Sequence, residues 1–578
     1  MNSRAQVRST APDASAAGSE PRATVPDASD RSCAWAVFWL LLAIYTLTFS
    51  GLPDNPDAEV EFQSTRSLAR QGTLALGGTP EAGALVGAGF GVAPGGPGRE
   101  GQWFGWFGVG QAAAGVPFYW AGSLFESLFP GVEARHRATT AYGVPRSEYW
   151  QHLFVGWRNP LLAAATAALL ALAARRLGAS RVGAPLAALA YGLLTFAWPQ
   201  ARSCLSDVQA TFCISAAFLG WLAFRGERRG AWPTILWASA ALALAALTRV
   251  AVLPAACVLA AAWGIELLRA RVGPVGWLCF TLPLAAGAAL FLAANFLRFG
   301  SLTSTGYGAG MELDTFFAYP PHLGLAGLFL APGKGLVWMA PLLCLAPWGL
   351  ARAWRRGDSA WVGLALLFAA AVLLPVAATG TWHGAWTYGP RYALPIFPVL
   401  WPAVALALDR LGEAPRPGLA ARLCAPLLAA LGLATSLPGV LVDHMTHQDL
   451  AMQAAASAWP EPGGRNERER DDGRFMALQW DWRFAAPWAH WRIALGRAQG
   501  AGDVYSAEAL FQVAQDRPLE PRHDRERGWR HLAWVDLRQR LQGPLWPGPF
   551  LAGLFLGLAA WSARRRRRLL PAPAGGPG

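Results

Sequence analysis

Lysine is almost missing from this 578-residue chain: of 49 basic side chains only Lys334 is not arginine. So strong a bias reflects coding composition, and it makes the one surviving lysine a position to explain. Charged residues amount to only 15% of the chain. The seven cysteines (Cys33, Cys204, Cys213, Cys257, Cys279, Cys344 and Cys424) are odd in number and lie almost entirely in apolar stretches. They therefore form no disulfide framework and no metal-ligand spacing, and read as small core residues. A cleavable signal pattern is also missing, because the polar N-terminal stretch is long and no small-residue cleavage site follows it. No internal repeat of solenoid or inverted-half length is visible. The net charge of +13 does not imply nucleic acid. The arginines fall in short clusters between apolar runs, at 175–181, 225–229, 269–271, 352–356, 410–422 and 564–568. That spacing orients helices in a membrane and does not make a DNA-binding stripe.

What the chain does contain is apolar surface. Hydrophobic residues make up 54%, with 29 tryptophans. The fold class that follows is an all-α polytopic membrane protein with about twelve spanning helices. Apolar stretches recur at 35–51, 159–174, 183–199, 206–224, 232–248, 250–268, 275–294, 335–351, 360–378, 391–408, 422–441 and 546–562. If the arginine-bearing N-terminal tail is cytoplasmic, the arginine clusters occupy every second connection, as the positive-inside bias requires. Both termini then face the cytoplasm. Four regions follow: a disordered tail over 1–31, a membrane region over 32–441 with an outer loop at 52–158, an outer segment over 442–545, and a last span with basic tail over 546–578. Loops of such length have a role more often than not, so both are expected to fold against the outer face. The segment FAAPWAHWRIALGRA (484–498) has the mixture of apolar and basic residues of a helix lying in the interface.

The first outer loop opens with four carboxylates, Asp54, Asp57, Glu59 and Glu61. Asn55 is suited to cap a helix, Pro56 to begin it and Gly72 to end it. On that helix Asp57 and Glu61 share a face whereas Glu59 points elsewhere, so the carboxylates cannot all enter one site. Asp57, near the positive end of the helix dipole, is suited to serve as a general base. A solvated loop start is the plain alternative. Asp207 opens an apolar stretch and should face the protein interior with a partner, or else is a helix-start acid. Lys334 lies between two glycines, which allow a phosphate to approach the backbone. Arg391 begins another stretch, in the company of His383, Trp386 and Tyr388. Arg298 has the same placement and can also serve as a simple anchor. Carboxylates and cations on one outer face suit displacement at a lipid-linked phosphate: a base for the acceptor hydroxyl, cations for the departing phosphate. The histidines at 136, 152, 383, 444 and 447 are scattered, with His444 and His447, beside Asp443, the one local cluster. No cofactor is expected, and a divalent metal is left open.

Seven blocks extend this reading: PDAEVEFQSTRSLARQGTLAL (56–76), GQWFGWFGVGQAAAGVPFYWAG (101–122), AYGLLTFAWPQARSCLSDVQATF (190–212), LTRVAVLPA (247–255), NFLRFGSLTSTGYG (295–308), LFLAPGKGLVWMAP (328–341) and WHGAWTYGPRYALPIFP (382–398). In their order the chain resembles the GT-C class of polytopic glycosyltransferases, nearest the protein O-mannosyltransferase, aminoarabinose transferase and RgtA-like bacterial group. The resemblance implies a bacterial inner-membrane enzyme that moves a sugar from a polyprenyl-phosphate donor to a hydroxyl acceptor, glycan, lipid or protein, with inversion. It implies an acid of the first outer loop as base, Asp57 with Glu59 next, and Asp207 as a second acidic site residue. Lys334, Arg391, Arg298 and His383 would hold the lipid phosphate. A flippase for the same carrier lipid, or a scaffold without activity, are the alternatives.

Overall fold

Apolar stretches and their proline and glycine punctuation become helices almost throughout the computed structural model. It describes residues 25–52, 55–89, 91–141, 144–227, 231–307, 317–413, 419–459, 467–500, 505–514, 519, 529–543 and 547–569. Asp54 and the start of the expected tail lie outside these residues. The first helix, Ala28–Thr48, begins inside the region expected as tail, because Asp27 and Asp30 form a reciprocal capping box. Among the described residues, eight helices are long and apolar enough to cross a membrane: Ala28–Thr48, Tyr149–Arg176, Ser206–Gly226, Val250–Arg269, Pro274–Phe299, Ser359–Ala377, Arg391–Gly412 and Leu423–Leu441. All twelve expected stretches carry helix, but several are divided, 422–441 only at Leu437. Residues 183–199 divide into Gly183–Leu193 and Ala197–Ala201, and 335–351 into Leu336–Met339, a 3-10 turn Pro341–Leu345 and Ala346–Arg355. Pro341 lacks the N–H that would continue the helix before it. Two further helices, Val109–Leu128 and Pro321–Leu330, lie where none was expected to span.

The arginine clusters converge on one end of the bundle. Arg175 pairs with Asp30 at 2.9 Å, Arg181 with Asp27, and Arg566 donates to the Arg181 carbonyl at 2.7 Å. Arg176 meets Glu227 at 3.1 Å, and Arg225 meets Asp358 at 3.0 Å and Glu266 at 3.6 Å. Asp207 and Arg225 stand at opposite ends of Ser206–Gly226, roughly 27 Å apart at ~1.5 Å per residue. The long loops therefore share the other end, called here the loop face.

On the loop face, Asn55 accepts from the Ala58 N–H at 2.9 Å, Pro56 begins the helix Pro56–Gln71, and Gly72 (φ 65°) closes it. The aromatic run at 101–107 forms the centre of a three-stranded antiparallel sheet, with Trp103–Gly105 between Ala75–Leu76 and Val92–Pro94. Phe104 lies opposite Ala75 on one side and Ala93 on the other. The second loop segment is tied down too. Its helix Ala486–Gln499 was expected to lie in the interface but buries Ala489, His490 and Ile493 in a small core with Leu450, Phe484 and Phe511. Trp534 donates to the Thr46 carbonyl at 2.6 Å, joining the end of this segment to the first helix.

Gly108 precedes Val109–Leu128 where that helix crosses residues 247–248. A Cβ there would stand 2.3 Å from the Leu247 oxygen and 2.4 Å from that of Thr248. Backbone cannot yield as a side chain does, so Gly108→Val should cost about 1–3 kcal/mol, the usual range for overpacking. A lowered thermal midpoint in detergent is the expected outcome; an unchanged one would show that the contact is loose.

Candidate active site

Four chain segments meet beside the start of Pro56–Gln71. Arg391 Nη2 donates to Asp57 Oδ2 at 2.7 Å and to the Tyr392 hydroxyl at 3.2 Å. Arg249 Nη1 donates to Asp207 Oδ2 at 3.2 Å. The two guanidinium groups flank one ring: Arg249 lies 4.7 Å and Arg391 5.0 Å from the Tyr392 centroid. Asp207 is fully buried and Arg391 nearly so. Each charge is thus matched, two carboxylates against two guanidinium groups. Cation–π contact offsets part of the repulsion between the arginines. Each of the four charged residues stands at the loop-face end of its helix, so the cluster sits at one boundary of the bundle.

The remaining first-loop acids separate as helix geometry requires. Glu59 accepts from Gln63 Nε2 at 2.7 Å and meets His152 Nε2 at 3.2 Å, away from Arg391. Burial would raise its pKa, but the charge and hydrogen bond of His152 and the bond from Gln63 outweigh this and hold it below the ordinary value. Glu61 faces inward with Asp57 and takes a hydrogen bond from Gln111. Burial pushes its pKa up to about 8; Ser206 and Arg158 oppose the shift, and the charges of Asp57 and Asp207 add to it.

Lys334 and His383 form a neighbouring layer. The Lys334 ammonium is buried and donates to the carbonyls of Ala385 (3.1 Å) and Thr387. Burial, then the charge of Arg391, pushes its pKa well below the usual lysine value. His383 is buried, and its Nδ1 accepts from the Ala385 N–H at 3.1 Å. Burial, then Lys334 and Arg391, pushes its pKa down. Ala385 holds φ of 55° after Gly384 at 80°, so these contacts support a strained turn directly before Arg391. Arg298 stands apart from the expected phosphate group. Its guanidinium donates to the carbonyls of Gly105 (2.8 Å) and Phe107 (2.9 Å) and to Asn295 Oδ1 (3.1 Å), pinning the small sheet to Pro274–Phe299.

Sequence reasoning missed Arg249, Tyr392 and Glu61 as site residues. Arg249 had a usable signal: it lies between two apolar stretches, outside all six arginine clusters. Tyr392 had none beyond adjacency to Arg391.

No protein family model and no curated protein matches the sequence. Among solved structures the chain is similar to ArnT from Cupriavidus metallidurans in the apo state, with 14% identity over 92% of this chain and 77% of that one, at a TM-score of 0.41. It is similar to the same protein bound to undecaprenyl phosphate, with 13% identity, coverage of 92% and 76%, and a TM-score of 0.38. The Archaeoglobus fulgidus oligosaccharyltransferase in the apo form gives 10% identity, coverage of 86% and 63%, and a TM-score of 0.39. At these identities and scores no residue of this chain takes its role from them.

Glu61 provides a test of the site's electrostatics. Its folded pKa lies above the ordinary 4.5, so its contribution to stability is full below about pH 4.5, shrinks as pH rises, and is gone above about pH 8. Glu61→Gln should remove that slope. Thermal midpoints in detergent from pH 5 to 9 should fall less steeply in the variant; parallel curves would place the Glu61 carboxyl in water.

Proposed function

We propose that the chain is a membrane glycosyltransferase of the GT-C class, which takes its sugar from a polyprenyl-phosphate donor at the loop face. The observation that carries this reading is the Asp57–Arg391 ion pair at 2.7 Å, joined through Tyr392 to Arg249 and Asp207. A base and two cations in one buried group are what the reaction asks for. The resting state is the carboxylate-paired one. A donor phosphate replaces Asp57 on Arg391 and also reaches Arg249, which frees the Asp57 carboxylate. Asp57 then accepts the proton of the acceptor hydroxyl. The acceptor oxygen bonds to the anomeric carbon as the bond from that carbon to the phosphate oxygen breaks, and polyprenyl phosphate leaves with inversion at the sugar. Cations placed at the leaving phosphate are worth about 3 kcal/mol each in comparable sites.

An apolar groove includes residues close to Arg249 in the chain. It measures about 350 Å³ and is lined by Leu247, Val250, Leu253, Leu284 and Phe291, on either side of Arg249 in sequence. An isoprenoid chain fits such a lining, with its phosphate at Arg249. Under this reading the catalytic base is Asp57, the phosphate contacts are Arg391 and Arg249, and Asp207 holds Arg249 in place. Glu59 supports His152. Lys334 and His383 shape the turn that presents Arg391, since two of the lysine's three donors are taken by its carbonyls. The loop face is then the outer face of a bacterial inner membrane, with both termini in the cytoplasm.

Transfer from labelled polyprenyl-phosphate sugars to a panel of hydroxyl acceptors, measured with the purified protein, tests this. Asp57→Asn should lose at least about 100-fold in turnover, within the range expected for a general base. Unchanged transfer would remove that assignment. Carrier lipid crossing vesicles without any sugar transfer would replace the enzyme by a flippase.

Lys334 separates support from direct contact. As a buried support it tolerates neither change: Lys334→Ala loses both carbonyl contacts, and the larger planar guanidinium of Lys334→Arg does not fit the same space. Both variants should lose about one to two decades in transfer per folded molecule. Partial recovery by arginine alone would return the phosphate contact to this residue.

A further inference from the structure

The second loop segment contains a polar cluster that this reaction does not use. His444 and His447 stand one turn apart on the helix His444–Ala458 and face His490 of Ala486–Gln499. All three are buried, His490 completely. Their ring centroids are 5.0–5.6 Å apart. One nitrogen from each ring lies within 4.8 Å of the other two. The opposite nitrogens are partly spoken for: His447 Nε2 meets the Phe484 carbonyl at 3.0 Å, and His490 Nδ1 meets that of Pro438 at 3.1 Å. A carbonyl accepts, so those nitrogens carry the protons. His447 Nδ1 and His490 Nε2 are then left as bare lone pairs, buried and without a hydrogen-bond partner among the described residues. Both nitrogens of His444 are in the same position.

Packing alone does not account for this arrangement. Three clustered imidazoles with unmet lone pairs, two of them held at the other nitrogen by a backbone carbonyl, have the form of a metal site with part of its supporting shell. Bonds of ~2.0–2.1 Å place the nitrogens of a tetrahedral zinc site roughly 3.3–3.4 Å apart. The separations of up to 4.8 Å are wider, so the three rings must close by up to about 1.5 Å around the ion. Three neutral nitrogens of intermediate softness suit Zn²⁺ and not Mg²⁺ or Ca²⁺, which take oxygen. The nearby positive charges of Lys334 and Arg202 oppose a cation. Asp443 faces the same cleft as His444 and Arg202 and offsets part of that charge.

We propose that His444, His447 and His490 bind one Zn²⁺, which joins the helices His444–Ala458 and Ala486–Gln499. The ring of Tyr388 stands edge-on to His444 at 5.7 Å and 5.1 Å from His490, so the metal also steadies the end of the turn that presents Arg391.

The test uses the full chain in detergent, stripped with a chelator and titrated with Co²⁺, a coloured substitute for zinc. One Co²⁺ per chain should bind with the intense visible bands of tetrahedral coordination, and one equivalent of Zn²⁺ should abolish them. His444→Asn and His490→Asn should each weaken binding by about 100-fold or more, whereas His322→Ala, at an exposed histidine, should not. Elemental analysis of Zn²⁺-loaded protein should agree. Wild-type protein that binds neither ion overturns the proposal even if the variants fail to fold, and so does undiminished binding by the folded variants. Neither result bears on sugar transfer by Asp57.

Discussion

The ion pair between Asp57 and Arg391 is the contact on which the loop face depends. A charge held at the edge of a hydrocarbon layer is costly unless it is paired, and removing one member of a buried pair typically costs about 3–5 kcal/mol. Arg391 is nearly closed off from solvent, so the first loop must bring Asp57 to it. That need explains why Pro56–Gln71 is so fully specified at its ends, with a side-chain cap, a proline and a left-handed glycine. A helix that frayed at Asn55 would withdraw the carboxylate.

The second pair extends the same logic across the bundle. Asp207 begins one helix and Arg249 follows the end of the next, so their pairing joins two helices at the loop face. Tyr392 places a ring between Arg249 and Arg391, which lets two like charges share a small volume. Balanced in this way, the group is stable without a ligand yet has cations to offer a phosphate. The arginines at the far end pair with the part-exposed Asp27, Glu227 and Asp358, where such pairs contribute little each, and with the buried Asp30 and Glu266.

Lys334 and Arg298 show how buried cations in a chain of this kind engage the backbone. Both stand near the end of an apolar stretch, Lys334 between two glycines and Arg298 two residues before Gly300. Both donate to backbone carbonyls, Lys334 to the turn before Arg391 and Arg298 to the strand Trp103–Gly105. Irregular backbone near a membrane has carbonyls to satisfy, and a long cationic side chain is the nearest means.

Much was legible in the order of residues alone. Apolar runs named the helices, because a spanning segment must satisfy its own backbone. Arginine spacing named the face they share. The cap, proline and glycine around 55–72 named the loop helix to the residue, since these signals act within a few positions. Even the divergence of Glu59 from Asp57 and Glu61 followed from helical periodicity. Contacts between distant segments were not legible. Nothing local ties Arg391 to Asp57, or His490 to His444 and His447, because those meetings depend on how helices cross and on where broken stretches turn. The breaks at 194–196 and 340–346, the sheet around Trp103 and the burial of the 486–499 helix are settled by packing among elements far apart in the chain, where periodicity carries no information.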